Sequence, residues 1–244
     1  MPAKALVPIA GEAMLSRVAR TLAGHPRIGT IVVLTQDPAL LTGGADTSWI
    51  ADHPAIRFQA AQPSVSAAVA AAIESRPGDY PFLVVTADHA LLDAAMLDAF
   101  IGPALATDAD IAVALVERRV LEEAYPDNRR TWLRFRGGSY SGANLFLIAG
   151  RPALNALALW RTVEQQRKKG RAIIAAFGPL ILAGVALRLL SLNAALRLAG
   201  RRLGLAAAAV ELPIAEACID VDKLEDHALA SEILARRGFA TIGP

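Results

Sequence analysis

Apolar residues along this chain recur at two spacings, and the changes between them mark out strands and helices. Residues 30–34, TIVVL, are an unbroken β-branched and aliphatic run, as in a strand covered on both faces. Residues 82–87, FLVVTA, and 110–116, DIAVALV, have the same character, and 56–60 is a shorter candidate. Between these runs the spacing lengthens to that of a helix. Met14, Leu15, Val18, Ala19 and Leu22 share one face of a helix from Glu12 to Ala23, which Gly24 ends. Val65, Ala68, Val69, Ala72 and Ile73 do the same over 64–75, with Ser64 as its cap. A further helix follows from Asp93 to Ile101. Residues 4–9, KALVPI, read as a short strand or extended segment, where Pro8 argues against a central position. The stretch 36–55, with Gly43-Gly44, reads mostly as loop.

Strand and helix alternate with short connections up to residue 116, which predicts a mainly parallel sheet with helices on both faces. The pattern then changes. Residues 131–136 resemble an edge strand, Gly137-Gly138 a turn, and 143–148 a buried strand. Helix is expected over 152–169, and a second helical tract over 171–203, broken near Pro179 and Ser191. Strands are expected at 207–212 and 217–221, and a last helix at 224–236. The expectation is an α/β, Rossmann-like domain spanning residues 1–244, carrying a mainly helical apolar insertion at about 150–205.

Composition sharpens this. Apolar residues make up 54% of the 244, mostly alanine and leucine, so a large aliphatic core is available. Phe82, Phe100, Phe135, Phe146 and Phe177 are its scattered large fillers. The formal net charge is +2, and the basic runs Arg118-Arg119, Arg129-Arg130, Arg167-Lys168-Lys169 and Arg201-Arg202 are short and far apart. That argues against nucleic acid as a partner and leaves small anionic substrates or an anionic membrane surface. One cysteine, Cys218, rules out a disulfide or cysteine-based zinc site within the chain and reads as a buried structural position. No signal-peptide pattern opens the sequence, so the expected location is cytoplasmic. Residues 172–187 are uncharged but contain Gly178, Pro179 and Gly184, and fall short of the roughly 20 residues of a membrane span. A helical hairpin is expected there. Peripheral membrane contact through 172–200 and a homodimer surface both fit it.

Ligands of parallel α/β sheets sit beyond the carboxyl ends of the strands. Asp88 lies just past FLVVTA, where it either caps a turn or serves a site, and His89 follows it. In Asp220-Val221-Asp222, strand alternation would put both carboxylates on one side, where a hard divalent cation would relieve their repulsion; a polar strand edge is the plainer alternative. Lys4, Arg17 and the backbone N–H groups after Gly11 are candidate phosphate contacts, against a plain reading as tail and surface residues. Ser64 and Ser66 could meet a nucleobase or cap a helix, and Gly142-Ala143-Asn144 could hold a ribose or an acceptor. The four histidines have no metal-ligand spacing, and G-x-S-x-G, H-E-x-x-H, Walker A and G-x-G-x-x-G sequences are absent.

Taken in order, KALVPIAGEAMLSRV, QPSVSAAVAAAI, FLVVTADHALLDAAML and IDVDKLEDHALASEIL resemble segments of the molybdopterin-cytidylyltransferase-like (MobA-like) NTP transferases. These are domains of the nucleotide-diphospho-sugar transferase (GT-A) fold. The resemblance covers most of the chain outside 150–210. It implies that Lys4 contacts the phosphates of an NTP, CTP or GTP being favoured, with Gly11 and Arg17 nearby. It places Ser64 and Ser66 by the base, and Mg²⁺ on Asp88 and Asp220 with Asp222 assisting. His89, Gly142 and Asn144 would face a phosphorylated or lipid-linked acceptor, to which the nucleotidyl group passes as pyrophosphate leaves. The family carries a strand and a Gly-rich loop before the lysine, whereas only Met1-Pro2-Ala3 precede Lys4. The expectation is therefore a domain lacking both, through a start further upstream or through loss of catalysis or a change of ligand. A glycosyltransferase of the same fold, with no clear D-x-D after the strand, and a non-catalytic nucleotide-binding or membrane-associated protein are the alternatives.

Overall fold

The computed structural model describes residues 3–165 and 177–241. Lys4–Leu6 form one turn of 3-10 helix, followed by a hairpin of two-residue strands, β1 (Pro8–Ile9) and β2 (Glu12–Ala13). Its turn residues Ala10 and Gly11 both have positive φ, the geometry of a tight hairpin that glycine adopts without strain. The chain continues as α1 (Met14–Ala23), β3 (Ile31–Thr35), α2 (Pro38–Thr42), α3 (Trp49–Asp52), β4 (Ile56–Ala60), α4 (Val65–Glu74), β5 (Phe82–Val85) and α5 (Ala94–Leu105). Next come β6 (Ile111–Glu117), α6 (Arg118–Ala124), β7 (Leu133–Phe135), β8 (Gly138–Ile148), α7 (Leu154–Gln165), α8 (Pro179–Ala186), α9 (Leu192–Leu203), β9 (Ala207–Glu211) and α10 (Leu224–Thr241).

Helix starts follow side-chain chemistry. Ser64, Asp93 and Ser191 each accept a hydrogen bond from a backbone N–H of the first turn, of Ala67, Met96 and Ala194. The larger sheet runs β5-β8-β6-β9, with β7 added to β8. β8 lies antiparallel to β5 and β6, and β6 lies parallel to β9, so β5, β6 and β9 point one way. β3 and β4 form a separate parallel pair. The result is the expected α/β architecture, mainly parallel in strand direction and flanked by helices. α4 ties the two sheets together: its Val69 and Ile73 pack with Leu34 of β3 and with Phe82 and Val84 of β5. The main core joins Met96, Leu97 and Phe100 of α5 to Val116 of β6 and Leu145 of β8, all fully enclosed. Each such side chain contributes about 1.5–3 kcal/mol by leaving water.

Several expectations need correction. Residues 4–9 are not one strand, because the chain turns at Lys4–Leu6 and only Pro8–Ile9 pair. The 36–55 stretch contains α2 and α3; Asp37 caps α2, and Pro38 suits its first turn. Residues 30–34 are covered on both faces only in part: Ile31 and Val33 pack into one core and Leu34 against α4 on the other side, but only Ile31 is buried. Residues 217–221 are not a strand: Ala215–Cys218 wind into 3-10 helix, and the chain then runs extended without a ladder. The expected helix over 152–169 is described as far as Gln165, and residues 166–176 of the apolar tract lie outside the described residues. Beyond them, Pro179 opens α8 and Ser191 opens α9, matching the expected breaks. Among the described residues no helix is long and apolar enough to cross a membrane.

Candidate active site

Three distant segments meet just beyond β5. The backbone N–H of Val221 donates to the carbonyl of Asp88 at 3.1 Å, which docks the Asp220–Asp222 stretch against that strand end. The 3-10 turn at Lys4–Leu6 brings in the ammonium. Lys4 Nζ lies 2.5 Å from Asp88 Oδ2 and 2.5 Å from Asp222 Oδ1, so one cation bridges two carboxylates. Burial lowers the ammonium's pKa, but the hydrogen bonds to Asp222 and Asp88 outweigh it and leave Lys4 above its ordinary value. The same hydrogen bond holds the Asp222 carboxyl below the usual range, against a smaller opposing effect of burial.

Asp220 is held differently. Arg130 Nη1 donates to Asp220 Oδ1 at 2.5 Å, Nη2 to Asp226 Oδ1 at 3.0 Å, and Nε to Asn128 Oδ1 at 3.0 Å. Only 9% of the Arg130 side chain is exposed. Asn144 Nδ2 donates to the other oxygen of Asp220 at 3.3 Å. Asn144 reaches it from an irregular stretch of β8: Val113 pairs with Phe146 but Leu115 with Gly142, and Asn144 has a φ of 49°. Such a bulge bends the strand and re-aims a side chain, and asparagine tolerates the left-handed region. Burial raises the Asp220 pKa; Arg130 opposes this, and the charges of Asp222 and Asp88 add to it.

The site also holds polar atoms left over. Asp88 Oδ1, Thr86 Oγ1 and both ring nitrogens of His89 are buried without a hydrogen-bond partner. Burial pushes the His89 imidazole down to about 4, so it is neutral at pH 7. Among the described residues no three carboxylate, imidazole or thiol groups form a preformed metal cage. Asp88 nevertheless keeps one carboxylate oxygen unengaged beside Asp222. One or two carboxylates, completed by substrate phosphates and water, are what Mg²⁺ ordinarily requires.

The structure thus brings Lys4, Asp88, Asp220, Asp222 and Asn144 together through direct contacts, with Gly142 two residues from Asn144 on β8. The other expected residues are engaged elsewhere. Gly11 makes the hairpin turn. The N-terminus of α1 beyond it already meets a carboxylate of the chain, as Ala13 N–H donates to Asp46 Oδ2 at 2.5 Å. Arg17 pairs with Glu12 at 3.4 Å, Ser64 caps α4, and Ser66 is buried behind it. Sequence reasoning missed Arg130 and Asp226. The only signals were the basic pair Arg129-Arg130 and the last acid of the IDVDKLED segment.

Comparison with known proteins bears on the family and the fold. The family model of the MobA-like NTP transferase domain matches residues 2–180. No curated protein matches the chain. Among solved structures, a hypothetical transferase from Thermus thermophilus is similar at 28% identity and TM-score 0.74, over 92% of this chain and 90% of that one. CMP:2-keto-3-deoxy-manno-octonic acid synthetase complexed with CTP aligns at 11% identity and TM-score 0.60, over 97% and 93% of the two chains. 4-Diphosphocytidyl-2C-methyl-D-erythritol synthase aligns at 12% and 0.57, over 95% and 94%. The last two likenesses establish the fold, and the family match, over most of the length, establishes that the chain belongs to the MobA-like NTP transferases.

Proposed function

We propose that this protein transfers a nucleotidyl group from an NTP, with CTP favoured over GTP, to a small anionic acceptor, releasing pyrophosphate. The observation that carries the reading is the convergence of Asp88, Asp220 and Asp222 with Lys4 at one end of the sheet. CTP is favoured because two structural neighbours are a synthetase bound to CTP and a diphosphocytidyl synthase.

In such a transfer an acceptor oxygen bonds to the α-phosphorus, the bond from that phosphorus to the β-phosphate bridging oxygen breaks, and that oxygen leaves with pyrophosphate. Little covalent chemistry falls to the protein; its work is positioning and charge neutralisation. Lys4, freed from one of its two carboxylates, supplies a positive charge to the phosphates. Asp88, through its unengaged oxygen, and Asp222 are the residues that would hold Mg²⁺, with Asp220 adjoining. Bound there, the cation would neutralise the triphosphate and stabilise the leaving pyrophosphate. Arg130 and Asn144 keep Asp220 oriented. His89, enclosed and neutral, serves as packing against Asp88.

Leu180, Leu187 and Leu189 leave an apolar surface beyond α7. We assign it to contact with a second copy or with the inner face of a membrane; sedimentation and vesicle flotation separate the two. The first experiment is calorimetric titration of ATP, GTP, CTP and UTP, each with Mg²⁺. Selective, Mg²⁺-dependent binding of one nucleotide is expected, and Asp88→Asn should weaken it at least tenfold. A folded protein that binds none of the four would overturn the reading and favour a non-catalytic role.

A further inference from the structure

Beside the carboxylate cluster, on the far side of Arg130, lies a hollow of about 410 Å³. Its walls come from α6 and from the loop that leads into β7. Arg118, Arg129, Arg130 and Arg134 line it, against only two acids, Glu122 and Asp127. The four arginines are not equivalent. Arg118 is paired with Glu122 at 2.6 Å and lies over the Trp132 ring at 6.0 Å. Arg130 is spent on Asp220 and Asp226. Arg129 and Arg134 are exposed and pair with no carboxylate among the described residues. Two guanidinium groups facing one concavity repel each other unless an anion lies between them.

We propose that this hollow is the acceptor's seat, and that Arg129 and Arg134 recognise a phosphomonoester there. The proposal rests on the nucleotidyl-transfer reading above. Guanidinium groups offer planar pairs of N–H donors that match phosphate oxygens, and two of them match a dianion in charge. The Trp132 ring gives the organic part of the acceptor a flat apolar wall. Position supports the assignment as well. Arg130 lines the hollow and also touches Asp220, so a molecule seated there is one guanidinium away from the carboxylate cluster.

A larger hollow of about 750 Å³ on the opposite side of Arg118 does not compete. Arg118, Arg119, Arg136 and Arg188 line it with Glu117, Glu122 and Glu123, but none of these residues bonds a site carboxylate, whereas Arg130 ties the smaller hollow to Asp220. The seat's volume falls within the range of small-molecule pockets. The phosphate could belong to a soluble metabolite or to a lipid headgroup, and the same two arginines would grip either.

The test is calorimetric titration of glycerol 3-phosphate, and flotation with phosphatidic acid vesicles, on wild type, on Arg129→Ala/Arg134→Ala and on Arg129→Lys/Arg134→Lys. Both positions are exposed, so the variants should fold as wild type does. Binding of either probe is expected to fall at least tenfold in the alanine pair and to recover only in part in the lysine pair, since lysine keeps the charge but not the fork. The probe that binds identifies the source. Mg²⁺–CTP affinity should stay within twofold of wild type. Undiminished probe binding in the alanine pair, or no binding of either probe to wild type, would overturn the seat. Equal loss of CTP and probe would overturn its separateness from the nucleotide site. If CTP fails to bind while glycerol 3-phosphate binds through the arginines, the oxyanion seat stands and nucleotidyl transfer falls.

Discussion

His89 sits beside Asp88 with 1% of its surface exposed and neither ring nitrogen bonded. Burial lowers its pKa to about 4; the charge of Asp88 opposes this and that of Arg237 adds to it. An unfolded imidazole takes up a proton near pH 6.5, whereas the folded one refuses it until about pH 4. Stability attached to this residue is therefore complete above pH 6.5 and declines as pH falls, by about 3 kcal/mol across the window. Urea midpoints at pH 7 and pH 4.5 should reveal the drop, and His89→Leu should remove most of it. An unchanged slope in that variant would mean another group titrates. Asp222 acts lower on the scale: its depressed pKa gives stability above the ordinary carboxylate range that is lost as pH falls through its folded value. Cys218 lies on the alkaline side. Burial pushes its thiol up to about 12, with Arg130 opposing, so the thiolate is scarce at any working pH. Iodoacetamide at pH 8.5 should leave the native protein unlabelled and label it fully in denaturant.

At the scale of elements, α9 and β9 show how closely backbone can approach backbone. A Cβ on Gly200 would stand 2.6 Å from the carbonyl oxygen of Leu205, which no side-chain movement relieves. Gly200→Ala should therefore cost about 1–3 kcal/mol as overpacking and lower the melting temperature. Gly78→Ala, with nothing within 4 Å of the added methyl, should not. The helices α1, α4 and α5 were legible because their apolar faces and caps are local properties of the sequence. Residues 217–221 were misread because an apolar run of that length looks the same whether a ladder or helix packing buries it. The aspartates were legible from their positions after a strand and in a closing acidic motif. Arg130 was not: between Arg129 and Thr131 it resembles a solvated loop residue, and only the tertiary fold carries it across 90 positions to Asp220.

For the whole molecule, the decisive feature is that its strands form two main sheets, not one. β3 pairs with β4 and β5 pairs with β8, but among the described residues no strand connects β3 to β5. What holds the halves together is side-chain packing, through α4 on one hand and through Ile28 against the α1 and α5 core on the other. Packing of this kind is non-directional, whereas a shared ladder would couple the opening of one strand to its neighbour. β6 is hydrogen-bonded on both edges, by β8 and β9, and is largely buried; β3 has one partner and one buried residue. The β3–β4 pair should thus open at lower free energy than the larger sheet. Hydrogen exchange read by mass spectrometry should find amides of Ile31–Thr35 and Ile56–Ala60 exchanging well before those of Ile111–Glu117 and Leu145–Ile148. The carboxylate site, whose Asp88 follows β5 and whose Asn144 rides on β8, belongs to the protected half. A nucleotide bound there should slow exchange around Asp88 and Val221 directly, and slow β3 only to the extent that it draws the two sheets together. Equal protection of the two sheets without ligand would mean that α4 couples them as firmly as a strand would.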